Sequence, residues 1–320
     1  MEYIKNDYKG IIFDTELTQV FKNKPTTMVD NNNLIKLRHE KHISDSDMKI
    51  VKFLYDYRFA TLEILADYLD KNREDVYKDL SRLIKHRVVN AFGLVKAENL
   101  GPGVKIDLPM DAKLIYCLDI GGKVLVGHFH NYDTSSWYST ETMRGPEKIG
   151  EDLATNLFYL SLLKYCNFDE NKDNFFKLCP KLQIGKSLVV PSFSMKIVTD
   201  KNTSDFKYYI GDVVRRAQFP LQFREHLAKL DSVTVTNAWK KYFHDVEKVP
   251  AILFICEDDA HALEVGKMIC GISSIDPTSG FRLTTDERLK KGLGEKGAFL
   301  AYDPNTDSIV EKKMSSFKKA

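Results

Sequence analysis

Residues 45–94 read DSDMKIVKFLYDYRFATLEILADYLDKNREDVYKDLSRLIKHRVVNAFGL, and this stretch decides the fold of the N-terminal part of the chain. Apolar residues recur there at helical spacing in three successive segments, which predicts three short amphipathic helices. Ser44 or Ser46 begins the first helix, the second starts near Thr61, and Asn72 caps the third. Such side chains accept hydrogen bonds from the free N–H groups of a first helical turn.

A strand pair follows the three helices. Residues 88–94 and 113–118 read as strands, and residues 99–111 between them contain glycines and prolines that indicate a loop. A short fourth helix then starts at residues 119–123 and runs through Phe129. Three helices and a hairpin in this order are typical of a winged helix-turn-helix, in which the third helix enters the DNA groove.

The outward face of the third helix carries side chains that suit such a groove. Residues 71–87 hold six Lys or Arg and three acids, a net charge of +3, whereas the whole chain carries +2. Arg and Lys neutralise phosphates, while Arg, Ser and Tyr can reach base edges. The predicted groove contacts are Arg73, Tyr77, Lys78, Ser81 and Arg82, and the predicted phosphate contacts are Lys85, Arg87, Lys96 and Lys105.

The composition bounds the remaining possibilities. The 320 residues suffice for two domains, and a hydrophobic content of 43% argues against global disorder. Five scattered cysteines form no C-x-x-C pair and no zinc-ligand spacing, so we expect reduced thiols and no cofactor. The N-terminus lacks a signal-peptide core, and the longest apolar run, near 251–256, is too short to cross a bilayer. We expect a cytoplasmic protein without a membrane partner.

The pattern along the chain predicts five segments. They are a flexible basic arm (1–42), the winged helix-turn-helix (43–130), a linker (131–148), an α/β domain (149–305) and a basic tail (306–320). The α/β domain should contain a helix from Ile149, four strands, a long helix over 221–246, a buried strand at 251–256, a helix over 259–269 and a last strand at 298–302. The expected fold class is α+β / α/β with a mixed sheet in the second domain.

Two charged clusters in the second domain allow more than one interpretation. The acids at 257–259, followed by His261, form either a metal site or, more in keeping with the dipole of the following helix, an N-cap by Asp258 or Asp259. Arg215 and Arg216, with Arg224 beyond them, form a phosphate-contacting patch, a partner site or a solvated face.

Four motifs, taken in order, resemble the replication-relaxation family of bacterial plasmids and mobile elements. They are DMKI (47–50), LDIGG (118–122), DLATNLF (152–158) and VPAILF (249–254), and the resemblance covers about residues 45 to 302. It implies a winged helix followed by a domain similar to the restriction-endonuclease fold. It also implies a role in replication control or conjugative transfer.

The resemblance also has departures that concern catalysis. Nucleases of that fold hold a divalent metal between an acid at the start of one strand and an acid-x-Lys on the next. The matching positions here are Ser192, Ile210 and Asp212, of which only Asp212 is a carboxylate. The resemblance therefore implies a degenerate, inactive domain and no enzyme. A shifted alignment would instead leave Asp200, Asp205 or Asp212 as metal ligands.

These observations support one leading hypothesis and three alternatives. The leading hypothesis is a protein that binds double-stranded DNA of a plasmid or mobile element, with a second copy of the chain or replication or transfer proteins as further partners. The alternatives are a dimeric transcriptional repressor, a metal-dependent nuclease and an interaction module that does not bind DNA.

Overall fold

The computed structural model describes residues 16–25, 28–96, 113–166, 168, 174–200, 205–243 and 248–317. The chain divides into two compact units, here called unit 1 and unit 2. Unit 1 ends at Asn156 and unit 2 continues from Leu157, so the boundary lies within the helix Pro146–Tyr165. It comes later than the predicted linker at 131–148.

Unit 1 combines helices with one small antiparallel sheet. Its helices are α1 (Asn31–His39), α2 (Asp45–Tyr57), α3 (Leu62–Leu69), α4 (Arg73–Lys85), α5 (Ile120–Phe129) and the first part of α6 (Pro146–Tyr165). Its strands are β1 (Leu17–Phe21), β2 (Phe59–Thr61), β3 (Val89–Lys96) and β4 (Ile115–Leu118). The strand order is β1-β3-β4-β2, and all neighbouring pairs are antiparallel. The predicted three helices and strand pair are therefore present, together with two strands that the pattern did not predict.

Side-chain caps determine where the three central helices begin. Ser44 Oγ accepts from the N–H of Asp47 (3.1 Å), and the Asp47 carboxylate accepts from the N–H of Ser44 (2.7 Å), which completes a capping box. Thr61 caps α3, and Asn72 caps α4 by accepting from the N–H of Asp75 (2.9 Å). The first helix thus begins after Ser44, and the prediction that Asn72 caps the third helix is confirmed.

The prediction of a flexible arm at 1–42 is wrong for the part of it that the structure describes as β1 and α1. β1 pairs with β3 from Leu17 opposite Lys96 to Phe21 opposite Phe92, and α1 buries Leu34. The physical reason is that β3 would otherwise present unpaired backbone groups along one edge, and β1 satisfies them. This pairing joins residues that are distant in the chain, so the polarity of the local sequence does not predict it.

Unit 2 is built on a seven-stranded mixed sheet with the order β13-β12-β11-β10-β9-β8-β5. The strands are β5 (Phe175–Leu178), β6 (Leu182–Ile184), β7 (Ser187–Val189), β8 (Phe193–Asp200), β9 (Asp205–Val213), β10 (Ala251–Cys256), β11 (Phe281–Thr285), β12 (Phe299–Asp303) and β13 (Ser308–Lys312). The helices that follow α6 are α7 (Leu221–Val235), α8 (Asp259–Ile272) and α9 (Asp286–Lys291). β9, β10 and β11 are parallel, the other neighbours are antiparallel, and β6 and β7 form a separate hairpin.

Both faces of this sheet are packed with apolar side chains. Alternate residues of a strand point to opposite faces. Tyr208 and Ile210 of β9 belong to the core that includes residues of α7 and α8. Tyr209 contacts the ring of Phe317, which in turn meets Phe158 of α6. The mixed α and β composition expected for the second domain is therefore present.

Two predictions for unit 2 need correction. The helix predicted over 221–246 ends at Val235, because Asn237 adopts a left-handed φ of 54° after a run of β-branched residues; residues 244–246 lie outside the described part. The predicted basic tail at 306–320 begins with β13, which pairs with β12, and Phe317 is buried. The sequence does not predict β13, because its largely exposed and charged residues give no apolar pattern.

Three of the five cysteines are buried. All five cysteines are free thiols, and burial raises the pKa of Cys117, Cys166 and Cys256 above the ordinary value. These three thiols therefore stay protonated at neutral pH.

Within the described ranges, none of the helices combines the length and the apolar character that a membrane crossing requires.

Candidate nucleic-acid interface

α3 and α4 form a tight helical pair whose second member shows an open outer face. Asp70 closes α3 in the left-handed conformation with φ 51°, and Asn72 begins α4 two residues later. The inner face of α4 is fully buried at Val76, Leu80 and Leu83. The opposite face of α4 is therefore the one available to a partner.

Four side chains form a ridge along this outer face. Glu74, Lys78, Ser81 and Lys85 follow one another at spacings of four, three and four residues, which aligns them on one side of a helix. Glu74 and Lys85 are exposed, the Lys78 side chain is 73% exposed, and Ser81 is half-buried. Tyr77 is half-buried beside the ridge. The structure thus brings together Tyr77, Lys78, Ser81 and Lys85 of the predicted contacts.

Carboxylates lie close to most basic side chains of this region. Nη2 of Arg73 is 2.8 Å from a Glu63 carboxylate oxygen on α3, and Nζ of Lys78 is 3.5 Å from Asp75. Lys71, Arg82 and Arg87 also have acidic partners, so Lys85 is the basic residue of 71–87 without an ion pair among the described residues. Exposed ion pairs contribute only about 0–1 kcal/mol each, so DNA phosphates can replace the exposed ones.

Arg82 differs from the exposed residues because it is bonded to a buried acid. Its Nη2 lies 2.8 and 2.7 Å from the two carboxylate oxygens of Asp47 on α2 and 2.9 Å from Asp79. Asp47 is fully buried, whereas the Arg82 side chain is 41% exposed. Its predicted base contact stays a prediction, but this geometry first of all ties α4 to the start of α2.

Arg87 is likewise engaged within unit 1. Its Nε lies 2.9 Å from Asp119, the cap of α5, and its Nη2 donates to the carbonyl of Lys24 (2.8 Å). Burial raises the pKa of the Asp119 carboxyl, and the backbone N–H of Ile120 and the nearby Arg87 offset part of that rise. Arg87 therefore holds three chain segments together, and its predicted phosphate contact stays a prediction.

The predicted wing is only partly within the described residues. Lys96 ends β3, is half-buried and lies opposite Leu17 of β1. Lys105 and the rest of the predicted wing tip lie outside the described residues. Of the two predicted wing contacts, Lys96 is therefore the one that lies within the described residues.

Residues 22–24, directly after β1, lie at the end of α4. Asn23 donates through its Nδ2 to the carbonyl of Ile84 (3.2 Å) and through its backbone N–H to Oδ1 of Asn90 (3.1 Å). Lys22 and Lys24 on either side of it are exposed. No local pattern predicted this placement, since it depends on β1 pairing with β3.

Unit 2 contains a polar cluster at the positions where the family resemblance suggested a lost metal site. Ser192 donates through its N–H (3.2 Å) and its Oγ (3.1 Å) to Asp212, and Nε2 of His226 on α7 lies 2.9 Å from the other Asp212 oxygen. Asp212 is buried. In the backbone register of β8 and β9, Asp200 pairs with Asp205 at the end of the two strands opposite to Asp212.

The described residues include no group of three or more His, Cys, Asp or Glu side chains that could hold a metal ion. The acidic cluster at 257–259 forms a helix cap, because Asp258 accepts from the N–H of His261 (2.8 Å) at the start of α8. His261 is fully buried, and this burial lowers its pKa to about 4. The helix-cap interpretation is confirmed, and His261 is neutral at physiological pH.

The arginine pair after β9 is divided between the interior and the surface. Arg215 is buried and forms two hydrogen bonds with Asp286, at 2.9 and 3.1 Å. Arg216 is 40% exposed and pairs with Glu257 and Asp258. The phosphate-patch, partner-site and solvated-face interpretations are therefore all wrong for Arg215, because this residue is buried and its charge is neutralised inside unit 2.

Comparison with protein-family models, with curated proteins and with solved structures finds no match to this chain.

Proposed function

We propose that unit 1 is a winged helix-turn-helix that binds duplex DNA, with α4 as its recognition helix. The order α2, β2, α3, α4, β3, β4 supports this reading, as does a sheet in which β4 pairs with both β2 and β3. In such domains the second helix of the helix-turn-helix lies in the major groove. The hairpin β3–β4 would then be the wing.

The observation that carries this proposal is the exposed ridge of α4. Lys78 and Lys85 offer ammonium donors, Ser81 offers a hydroxyl that donates and accepts, and Tyr77 adds a phenol at the flank. These are the groups that bind phosphates and base edges. We expect Arg82 to act mainly by orienting α4, since its guanidinium already binds Asp47 and Asp79.

The test is a titration of the whole chain against a fluorescein-labelled duplex of mixed sequence, followed by anisotropy at two salt concentrations. Binding should weaken steeply with salt, because each phosphate contact releases counterions. Lys78→Glu should raise Kd by about tenfold or more at low salt, because it reverses a charge on the ridge. The control is Lys229→Glu, which makes the same charge change on the exposed side of α7 in unit 2. Absence of binding at low salt would contradict the proposal.

The biological process is proposed from the four sequence motifs that resemble the replication-relaxation family. That resemblance supports a protein of a bacterial plasmid or mobile element that acts in replication control or conjugative transfer. The experiment is footprinting on plasmid DNA. Protection of a replication or transfer origin would support this role, whereas protection of the protein's own promoter would support a transcriptional repressor instead.

We propose further that unit 2 is an inactive, nuclease-like scaffold. The mixed sheet of unit 2, in which β10 is parallel to β9 and α7 lies between them in the chain, supports an α/β scaffold. Ser192 provides a hydroxyl where a metal site needs a carboxylate, and Asp212 already accepts hydrogen bonds from Ser192 and lies 2.9 Å from Nε2 of His226. Supercoiled plasmid should stay intact with magnesium or manganese. Cleavage that disappears in Asp212→Ala would establish a nuclease instead.

A further inference from the structure

Residues 22–24, which directly follow β1, are fixed against the last turn of α4. The N–H of Lys22 donates to the carbonyl of Ala91 (2.7 Å) and so extends the β1–β3 ladder. Asn23 donates to Asn90 Oδ1 (3.1 Å) and accepts from Asn90 Nδ2 (2.8 Å), while its own Nδ2 reaches the carbonyl of Ile84 (3.2 Å). Asn90 is buried, so these bonds hold the segment in one place.

Both chain neighbours of Asn23 are lysines without an acidic partner among the described residues. Lys22 and Lys24 are exposed, and neither has an ion pair with any described residue. Lys85, which directly follows Ile84, is likewise exposed and has no ion pair with a described residue. Arg87 donates to the carbonyl of Lys24 (2.8 Å) and fixes the far end of the segment. The backbone of Lys22 and Lys24 is therefore held beside the end of α4 that carries Lys85, where Arg82 and Arg87 are paired with acids.

We propose that Lys22, Lys24 and Lys85 form a phosphate-binding surface for duplex DNA; the inference rests on the proposed function of unit 1. Lysine ammonium groups bind phosphate as compact charges and do so independently of sequence. Because these hydrogen bonds, including the one from the Asn23 side chain to Ile84, already order the segment, DNA binding need not order a free arm, which reduces its entropic cost.

The length of α4 explains why phosphates should lie at this place. Its 13 residues span about 20 Å, whereas the major groove is about 12 Å wide. When the N-terminal half of the helix faces base edges, the last turn reaches the sugar-phosphate wall. Lys85 and the flanking lysines Lys22 and Lys24 would meet that wall together.

The experiment measures how the affinity for a mixed-sequence duplex depends on salt. The full chain, the double variant Lys22→Gln/Lys24→Gln and a control, Lys290→Gln/Lys291→Gln, are titrated by anisotropy over a series of salt concentrations. The control removes the same charge from the exposed face of α9 in unit 2. Each lost phosphate contact should reduce the slope of log K against log salt by about 0.9, so the double variant should lose about 1.8. Circular dichroism checks that each variant is folded.

A second variant separates a fixed surface from a flexible arm. Asn23→Ala keeps both lysines but removes the bond to the carbonyl of Ile84, so its affinity should fall several-fold at constant net charge. Wild-type affinity in this variant would overturn the idea that this bond matters.

The outcomes distinguish this inference from the function on which it rests. A reduced slope in the double variant, with an unchanged slope in the control, supports the phosphate surface. Wild-type binding together with an unchanged slope in the double variant overturns the surface but leaves DNA binding by unit 1 intact. Absence of binding by the wild-type chain overturns both.

Discussion

Removal of the Arg82 guanidinium should mainly lower the free energy of unfolding of unit 1. Its effect on direct contacts with DNA should be the smaller one. Arg82→Met keeps most of the aliphatic stem and deletes the group that contacts both oxygens of the fully buried Asp47, at 2.8 and 2.7 Å. The remaining partner of that carboxylate is Ser44, through its N–H (2.7 Å) and Oγ (2.9 Å). Asp47 would therefore keep its cap bonds and lose its counter-charge.

The magnitude follows from the exposure of the two partners. Breaking a buried ion pair costs about 3–5 kcal/mol. Here the Arg82 side chain is 41% exposed and Asp47 retains two hydrogen bonds, so we expect about 2 kcal/mol. Because 1.4 kcal/mol is a factor of ten, the slowest amides of α2 and α4 should exchange about 30-fold faster.

Hydrogen exchange followed by mass spectrometry measures this loss locally, which matters in a chain of two units. Lys85→Met is the control, since this side chain is exposed on the same helix, and its effect should stay within about 0.5 kcal/mol. A cycle with Asp47→Asn should give a coupling energy of about 1–2 kcal/mol. Unchanged exchange in Arg82→Met, combined with weaker specific DNA binding, would refute this reasoning and restore Arg82 as a base contact.

Three further predictions concern buried groups. Asn156→Ala should destabilise unit 1 by about 1–3 kcal/mol, because Nδ2 of Asn156 donates to the carbonyls of Tyr57 (3.0 Å) and Phe59 (2.6 Å). The expected result is faster amide exchange near β2, and unchanged exchange would contradict this prediction. Gly211→Ala should lower the free energy of unfolding of unit 2 in urea by about 3 kcal/mol, because the added Cβ would lie 1.9 Å from the Phe193 ring. The control is Gly271→Ala in α8, where no atom lies within 4 Å of the added Cβ, and this variant should be neutral or stabilising. The stability of unit 2 should fall as pH drops from 6.5 to about 4, because the unfolded chain protonates His261 in this range and the folded chain does not. The loss should be on the order of 3 kcal/mol, read from the fluorescence of buried Trp239 in a Trp137→Phe background, and an equal pH dependence in His261→Gln would contradict it.

Elements with strong local signals could be predicted from the sequence. α4 is one of them: Asn72 is a good cap, and Val76, Leu80 and Leu83 repeat at helical spacing, so its beginning and inner face followed directly. The strand β10 was equally clear from its apolar run. In both cases the information lies within the element itself.

Elements that depend on a distant partner could not be predicted in this way. β1 and β13 have few buried side chains, and they are strands because β3 and β12 offer them backbone hydrogen bonds. The same limit applies to the candidate site. The sequence shows Arg82 as a donor on a helix face, but its partner Asp47 comes from the start of another helix. The exposed lysines beside Asn23 likewise depend on a long-range pairing.

The most direct test of the proposed DNA recognition is a selection of randomised duplexes by the full chain, followed by anisotropy on the enriched sequence. We expect one motif to be enriched and bound roughly a thousandfold or more tightly than a scrambled duplex at the same salt concentration. Ser81→Ala and Tyr77→Ala should lower this ratio while preserving amide exchange in α4. If no sequence is enriched and no duplex binds at low salt, unit 1 is not a DNA-binding domain, and a protein partner for the α4 ridge becomes the better hypothesis.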